Sequence, residues 1–224
     1  MCLLQIEFQI DILVTRLLEY QHAKKPANLD MAFRATSLEI ITSYCFAKSS
    51  NALDSEDFQN EVLIAMDNTL PMIWVLKHFP LIKTLLLWVP ESIVSVLRPS
   101  TKGVLDQRKQ MGAQIDEIIK DPTSLQNVDH KTIYHHFLTP QPDKPHLPPI
   151  TRQWLLDEGI YMLFFGSDTV GNTCTVAAYH ILSNKHVYDT LTAALRLALP
   201  DKDVPVRYET LEKLPYLVSF VQCI

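Results

Sequence analysis

Hydrophobic residues recur along this chain at helical intervals from its first turn. Ile6, Ile10, Leu13, Leu17 and Tyr20 are spaced four, three, four and three residues apart, which sets them on one stripe of a helix over about the first two dozen residues, ended by Pro26. Asn28 or Asp30 can cap a second helix, whose buried side carries Phe33, Leu38, Ile41 and Cys45 up to about Phe46. Asp54 or Ser55, followed by Glu56 and Asp57, places acceptors and negative charge where a third helix, running to about Asn68, has unpaired amides.

The pattern then changes. Residues 70–90 are apolar, interrupted by Lys77 and Lys83 and broken by Pro71, Pro80 and Pro90, so they cannot form one spanning helix. Two readings stay open: short helices packed on the core, or a surface that dips into a membrane interface, a depth that suits Trp74, Trp88 and the two lysines. Val104, Arg108, Met111, Ile115 and Ile118 describe another amphipathic helix, with Arg108 the exception on its buried stripe, ending near Asp121-Pro122. Residues 121–150 hold six of the fourteen prolines and read as a surface connection with one short helix around Lys131 to Phe137. Within it, His135 and His136 point about 100° apart on a helix, so they read as solvent-facing residues rather than metal ligands. The chain thus divides into a helical region over residues 1–120, a Pro-rich connection 121–150, a long helix 151–183 and following helices 184–224.

Composition narrows the fold class to all-α. The 224 residues are 47% hydrophobic, enough for a sizeable core, and the five glycines include no Asn-Gly or Asp-Gly turn of the kind that closes hairpins. A net charge of −5 and no Lys/Arg cluster leave no face for a phosphate backbone, which excludes nucleic acid as a partner. Cys2, Cys45, Cys174 and Cys223 are far apart and form no C-x-x-C pair, so no zinc site or disulfide framework is expected and no metal ligand is assigned; Cys45 and Cys174 read as small buried hydrophobes. The first twenty residues carry Glu7, Asp11, Arg16 and Glu19, which is unlike a signal peptide or a membrane span.

The candidate chemistry lies in the long helix. Thr151 can cap it, and Trp154, Tyr161, Phe164 and Phe165 give it bulk. Its centre reads Phe165-Gly166-Ser167-Asp168-Thr169-Val170-Gly171, and each glycine inside a helix costs about 0.8 to 1 kcal/mol relative to alanine. Either Gly166 and Gly171 admit a neighbouring helix while Asp168 and Thr169 bond a local carbonyl or water, or the missing Cβ lets a flat ligand lie on the helix while the carboxylate and hydroxyl handle protons beside it.

Gly166-Ser167-Asp168-Thr169 resembles the oxygen-activating pattern of the cytochrome P-450 superfamily: a small residue, glycine, any residue, an acid and threonine. Thr210-Leu211-Glu212-Lys213-Leu214-Pro215-Tyr216-Leu217 resembles the family's lead-in to its next conserved helix, and Ile181-Leu182-Ser183-Asn184 its usual exit from the long one. Upstream, Asn28 to Phe33, Phe46 to Ser49 and Asp57-Phe58 resemble fungal microsomal members, including those that oxidise terpenoids in secondary metabolism. The resemblance implies the helical central part of a mainly α fold whose small β regions lie elsewhere. It implies a haem cofactor, dioxygen and a small apolar substrate, terpenoid or another secondary metabolite, and an NADPH-dependent flavoprotein reductase as electron donor. Residue by residue it implies that Gly166 opens the helix for oxygen at the haem, Thr169 hydrogen-bonds and helps protonate that oxygen, Asp168 feeds the proton path, and Phe165 faces the substrate. Phe165 stands where the family has a small residue, narrowing the pocket, and Val170 replaces a frequent second hydroxyl.

Other family features are not found in these residues. Cys223 stands where the glutamate of a Glu-x-x-Arg motif is expected, and no cysteine occupies the haem loop of phenylalanine, two residues, glycine, any residue, arginine, any residue, cysteine. The expectation is therefore a central fragment that is inactive alone. Full-length relatives sit at the endoplasmic reticulum membrane; this stretch, without an anchor, is expected in the cytoplasm or at the membrane surface through 70–90. The alternative is a non-enzymatic helical interaction protein or an inactive truncation product, with its glycines serving helix contact alone.

Overall fold

A computed structural model describes residues 2–81, 102–139, 150–201 and 206–223. Every regular element among them is helical, as the 3.6-residue period predicts. The chain divides into two compact units, Met1–Gly171 and Asn172–Ile224. The first holds α1 (Cys2–Ala23), α2 (Leu29–Phe46), α3 (Glu61–His78), α4 (Lys102–Lys120), α5 (Ile133–Leu138) and most of the long helix α6 (Arg152–Ser183). The second holds the end of α6, α7 (Lys185–Ala198), α8 (Tyr208–Leu211) and α9 (Pro215–Cys223).

Helix α2 is the centre of the first unit. It starts at Asn28, whose Oδ1 accepts from Met31 N at 3.2 Å, and it ends at Ala47 in the left-handed conformation, φ 53° and ψ 37°. Ala32, Ala35 and Leu38 are fully buried, and Phe46, Leu63, Met66, Ile115, Leu155 and Leu163 close the core around them. Each such large side chain contributes about 1.5–3 kcal/mol of burial. Small residues on α2 let its neighbours come close on several sides, so even Arg34, Ser37, Glu39 and Thr42 are buried. Glu39 accepts from the hydroxyls of Ser43, Ser49 and Ser50 and from the amide of Ala52, which fastens the following loop to the helix.

Several local expectations change in three dimensions. The cap of α3 is Asn60, whose Oδ1 accepts from Val62 N at 2.9 Å, rather than Asp54 or Ser55. The acids at 56 and 57 belong instead to a single 3₁₀ turn, Glu56–Phe58, that sinks Phe58 into the core and aims the chain back so that Leu63 and Met66 face inward. Pro71 does not break α3, which runs through it to His78; its ring removes only the amide that would have bonded the carbonyl of Asp67. On α1 the inward stripe is rotated, with Gln9 and Leu13 buried and Ile10 exposed, because α1 packs mainly on α2. His135 is not solvent-facing: its Nδ1 accepts from Thr132 N at 2.9 Å and its Nε2 lies 3.0 Å from the Leu125 carbonyl, which leaves His136 as the exposed one.

Other expectations stand as drawn. Met111, Ile115 and Ile118 of α4 are buried, and Arg108 escapes the stripe by reaching Asp157 at 3.8 Å. The apolar segment 70–90 is described only as far as Leu81, so Lys83, Trp88 and Pro90 lie outside the described residues. No described helix is long and apolar enough to cross a membrane.

Candidate active site on the long helix

Thr151 caps α6 as the sequence predicts, its Oγ1 accepting from Trp154 N at 3.1 Å. From there the helix has two unlike sides. Leu155, Leu156, Gly159, Leu163, Ser167 and Gly171 recur mostly at three- and four-residue steps and are all buried. On the opposite side Tyr161, Phe165 and Thr169 follow at steps of four and are exposed, the two rings at 58% and 64%. Those rings stack with centroids 6.3 Å apart.

The turn that carries the glycine has hydroxyls on three of its carbonyls. Ser167 Oγ donates to the Leu163 carbonyl at 2.7 Å, Thr169 Oγ1 to the Phe165 carbonyl at 2.6 Å, and Ser37 Oγ of α2 to the Gly166 carbonyl at 2.8 Å. Hydroxyls that bond helix carbonyls compete with the amides of the ladder and soften the helix locally. Gly166 adds to this, having no side chain to restrict its backbone.

The structure separates the four residues singled out in the sequence. Phe165 and Thr169 share the exposed stripe. Asp168, one residue round the helix, sits at the edge of that stripe, and its Oδ1 lies 3.1 Å from Nη2 of Arg34. Gly166 is turned toward α2: a Cβ built on it would approach Ile41 Cδ1 to 2.7 Å, so the missing side chain admits a helix in that direction rather than opening onto a ligand. Gly171 does the same against Arg34, whose Cα and N would lie 2.9 and 3.0 Å from such a Cβ.

Arg34 was not among the residues that the sequence pattern singles out. Its side chain is 6% exposed and meets carboxylates from three helices: Asp67 through Nη1 at 3.1 Å and Nη2 at 2.7 Å, Asp168 at 3.1 Å and Asp30 at 3.8 Å. Burial alone would push the guanidinium toward neutrality, but the Asp67 hydrogen bonds and the charges of Asp67, Asp168 and Asp30 outweigh it and hold its pKa above the ordinary arginine value. The local signal in the sequence was Asp30 four residues before Arg34 on a predicted helix; Asp67 and Asp168 become partners only on folding.

A cavity of about 590 Å³ lies elsewhere, between the end of α2 and α4. Asn51, Asn60, Gln107, Gln110, Gln114 and Glu117 are among its lining residues, and none of the four sequence-derived residues is. Among the described cysteines, Cys45 and Cys174 are half-buried and Cys223 is exposed; burial pushes the Cys174 thiol up, against thiolate formation.

The chain resembles known proteins in both sequence and structure. A family model described as Cytochrome P450 matches residues 5–222. A cytochrome P450 monooxygenase of Eupenicillium brefeldianum is 32% identical over 219 residues, covering 97% of this chain and 43% of its own. An N-acetyltryptophan 6-hydroxylase of Emericella nidulans is 24% identical over 216 residues, covering 94% of this chain and 41% of its own. The crystal structure of a cytochrome P450 is similar in fold at a TM-score of 0.72 and 15% identity, covering 98% of this chain and 44% of that one. This chain therefore spans less than half the length of these relatives.

Proposed function

This chain belongs to the cytochrome P450 family, and on that premise we propose that it carries the oxygen-activating helix of a haem-dependent monooxygenase that oxidises a small apolar molecule. The observation that carries the reading is the surface of α6: an exposed aromatic strip with the Thr169 hydroxyl at its end and the Asp168 carboxylate one residue away. A flat apolar cofactor needs uncovered apolar surface, and Tyr161 and Phe165, more than half exposed, supply it; on this side the residues fit haem. Burial raises the Cys174 thiol pKa and Cys45 packs against the core, so neither is assigned as its axial thiolate. When bound, the haem would supply the redox chemistry of dioxygen, with two electrons from an NADPH-dependent flavoprotein reductase and two protons, one oxygen atom entering the substrate and the other leaving as water.

The residues of α6 divide the remaining work. Phe165, at the end of the strip beside Thr169, would border the substrate and narrow its pocket, standing where the family has a small residue. Thr169 Oγ1 donates to the Phe165 carbonyl at 2.6 Å, and a turn about χ1 redirects its proton outward. Asp168 resupplies that proton from solvent, to which its side chain is 43% exposed. Gly166 acts through position: by admitting Ile41 it sets how close α6 lies to α2, and only its backbone remains for contact with a cofactor. Fungal monooxygenases among the relatives, one of them a hydroxylase of N-acetyltryptophan, support a small secondary-metabolite substrate, and a terpenoid one rests on the sequence resemblance alone. The exposed Leu70, Val75, Phe79 and Leu81 around Lys77 support contact with the endoplasmic reticulum membrane surface.

The test is Thr169→Ala in a full-length, haem-loaded protein carrying this helix, with its reductase. Oxygen consumption continues while product per dioxygen falls by about an order of magnitude or more, because protons then arrive without control; equal loss of both defeats the assignment. The 224 residues alone are expected to bind no haem as a thiolate complex, and a thiolate-type band in the carbon monoxide difference spectrum would overturn that. A second reading, a non-enzymatic helical interaction protein, draws support from Gly166 and Gly171, both of which serve helix contact. Haem titration separates the two, since an interaction protein shows no saturable change in haem absorbance.

A further inference from the structure

Hydroxyls on α2 and α6 mostly bond within their own helix. Thr36 and Thr42 of α2 donate to the carbonyls of Ala32 and Leu38, and Ser167 and Thr169 of α6 to those of Leu163 and Phe165, each four residues back. Ser37 of α2 differs. It is 5% exposed, and its Oγ donates across to the Gly166 carbonyl, 2.8 Å away and 129 residues along the chain. The glycine makes this reach possible, since a Cβ there would come within 2.7 Å of Ile41 Cδ1. Arg34, Ser37 and Ile41 lie three and four residues apart, on one face of α2, and that face meets Gly171 and Gly166.

A contact lined by glycine is close but smooth. At 166 and 171 α6 presents no side chain to lodge between the ridges of α2, and apolar packing has no direction that would fix its rotation. A hydrogen bond does have one. The ion pair of Arg34 with Asp168 also joins the two helices, but through two rotatable side chains, whereas Ser37 reaches a backbone atom through a single χ1. We infer that Ser37 is a positioning residue for the proposed site: by holding the Gly166 carbonyl it fixes the rotation of α6 about its own axis, and with it the direction in which Phe165 and Thr169 point. This rests on the reading of α6 as the helix beside haem. A turn of roughly 10° moves an atom about 5 Å from the helix axis by about 1 Å, enough to upset a reacting geometry. The Gly166 carbonyl is also the helical acceptor for the Val170 amide, so sharing it with Ser37 weakens that bond.

The experiment uses a full-length, haem-loaded protein carrying these residues and compares Ser37→Ala with Thr36→Ala, which removes a buried hydroxyl bonded within α2. Two haem-binding probes, imidazole and the bulkier phenylimidazole, read the space beside the haem through its absorbance. Ser37→Ala changes the ratio of their Kd values by about fivefold or more, because the Phe165 ring meets only the bulkier one. Hydrogen exchange of the Val170 amide gives a readout free of activity: it slows about threefold in Ser37→Ala, since the Gly166 carbonyl is no longer shared. Thr36→Ala leaves both values within about twofold of the unchanged protein. Ser37→Cys, close in size and a weak donor, falls between and covers the case in which Ser37→Ala does not load haem. Failure of both Ser37 variants to load haem, or Thr36→Ala values equal to those of Ser37→Ala, makes Ser37 a packing residue and overturns the inference. So does Val170 exchange that is unchanged or faster, or an unchanged Kd ratio in Ser37→Ala while Phe165→Ala shifts it; the proposed function then stands. An unchanged ratio in Phe165→Ala overturns the placement of the aromatic strip beside haem, and this inference with it.

Discussion

The two sides of α6 are built from the same few turns and obey opposite rules. On the inner side, Gly159, Ser167 and Gly171 are chosen for smallness, and neighbouring helices occupy the space that a Cβ or a longer side chain would need. On the outer side, Tyr161 and Phe165 are large, and most of their surface is uncovered. Burial of apolar surface alone would place the rings inside as well. The inner side thus admits close helix approach, while the aromatic side stays uncovered within the described residues. Asp168 and Gly166 stand at the two borders between these regimes, the first tied to Arg34 and the second to Ile41.

Substitutions on the inner side test the comparison most severely. Gly171→Val would drive side-chain atoms into the Arg34 backbone, which cannot rotate out of the way, and is expected to cost about 3 kcal/mol in chemical denaturation. A loss below about 1 kcal/mol would mean that the helices are not in forced contact there. Gly166→Ala meets only a side chain, Ile41, and gains about 1 kcal/mol of helix propensity, so its net cost is expected near ~1 kcal/mol. Ile41→Val should then cost less in the Gly166→Ala background than alone, since it relieves the crowding; additive losses would show that the two side chains do not meet. The smallest effect belongs to the outer side. Phe165→Ala should change the stability of the chain by no more than about 0.5 kcal/mol, and a loss of about 3 kcal/mol would show the ring to be part of a core rather than a free surface.

Much of the fold was legible because it is local. The caps Asn28 and Thr151, the extent of α1 and α2, and the stripe Met111, Ile115, Ile118 follow from side chains three or four residues apart, whose meeting on a helix needs no tertiary information. Errors fell where a long-range contact outbid a local signal. Asp54 to Asp57 look like the start of a helix, yet Phe58 must reach the core first, so the helix waits for Asn60. Pro71 looks like a stop, yet the packing of α3 on α4 carries the helix past it. His135 looks like a surface residue, yet its ring joins Thr132 to the Leu125 carbonyl.

By itself the amino-acid order determined an all-helical chain with one weak, chemically equipped turn in its longest helix, because hydrophobic period, capping and the cost of a helical glycine are properties of neighbours along the chain. Only tertiary structure decided which way that turn faces: that Gly166 looks onto Ile41, that Phe165 and Thr169 look outward, and that Asp168 is held by Arg34 in company with Asp67. Asp67 lies 33 residues from Arg34 along the chain, and Asp168 is farther still. No helical periodicity spans such distances. Their meeting depends on how closely three separate helices approach, which is set by packing of the whole core.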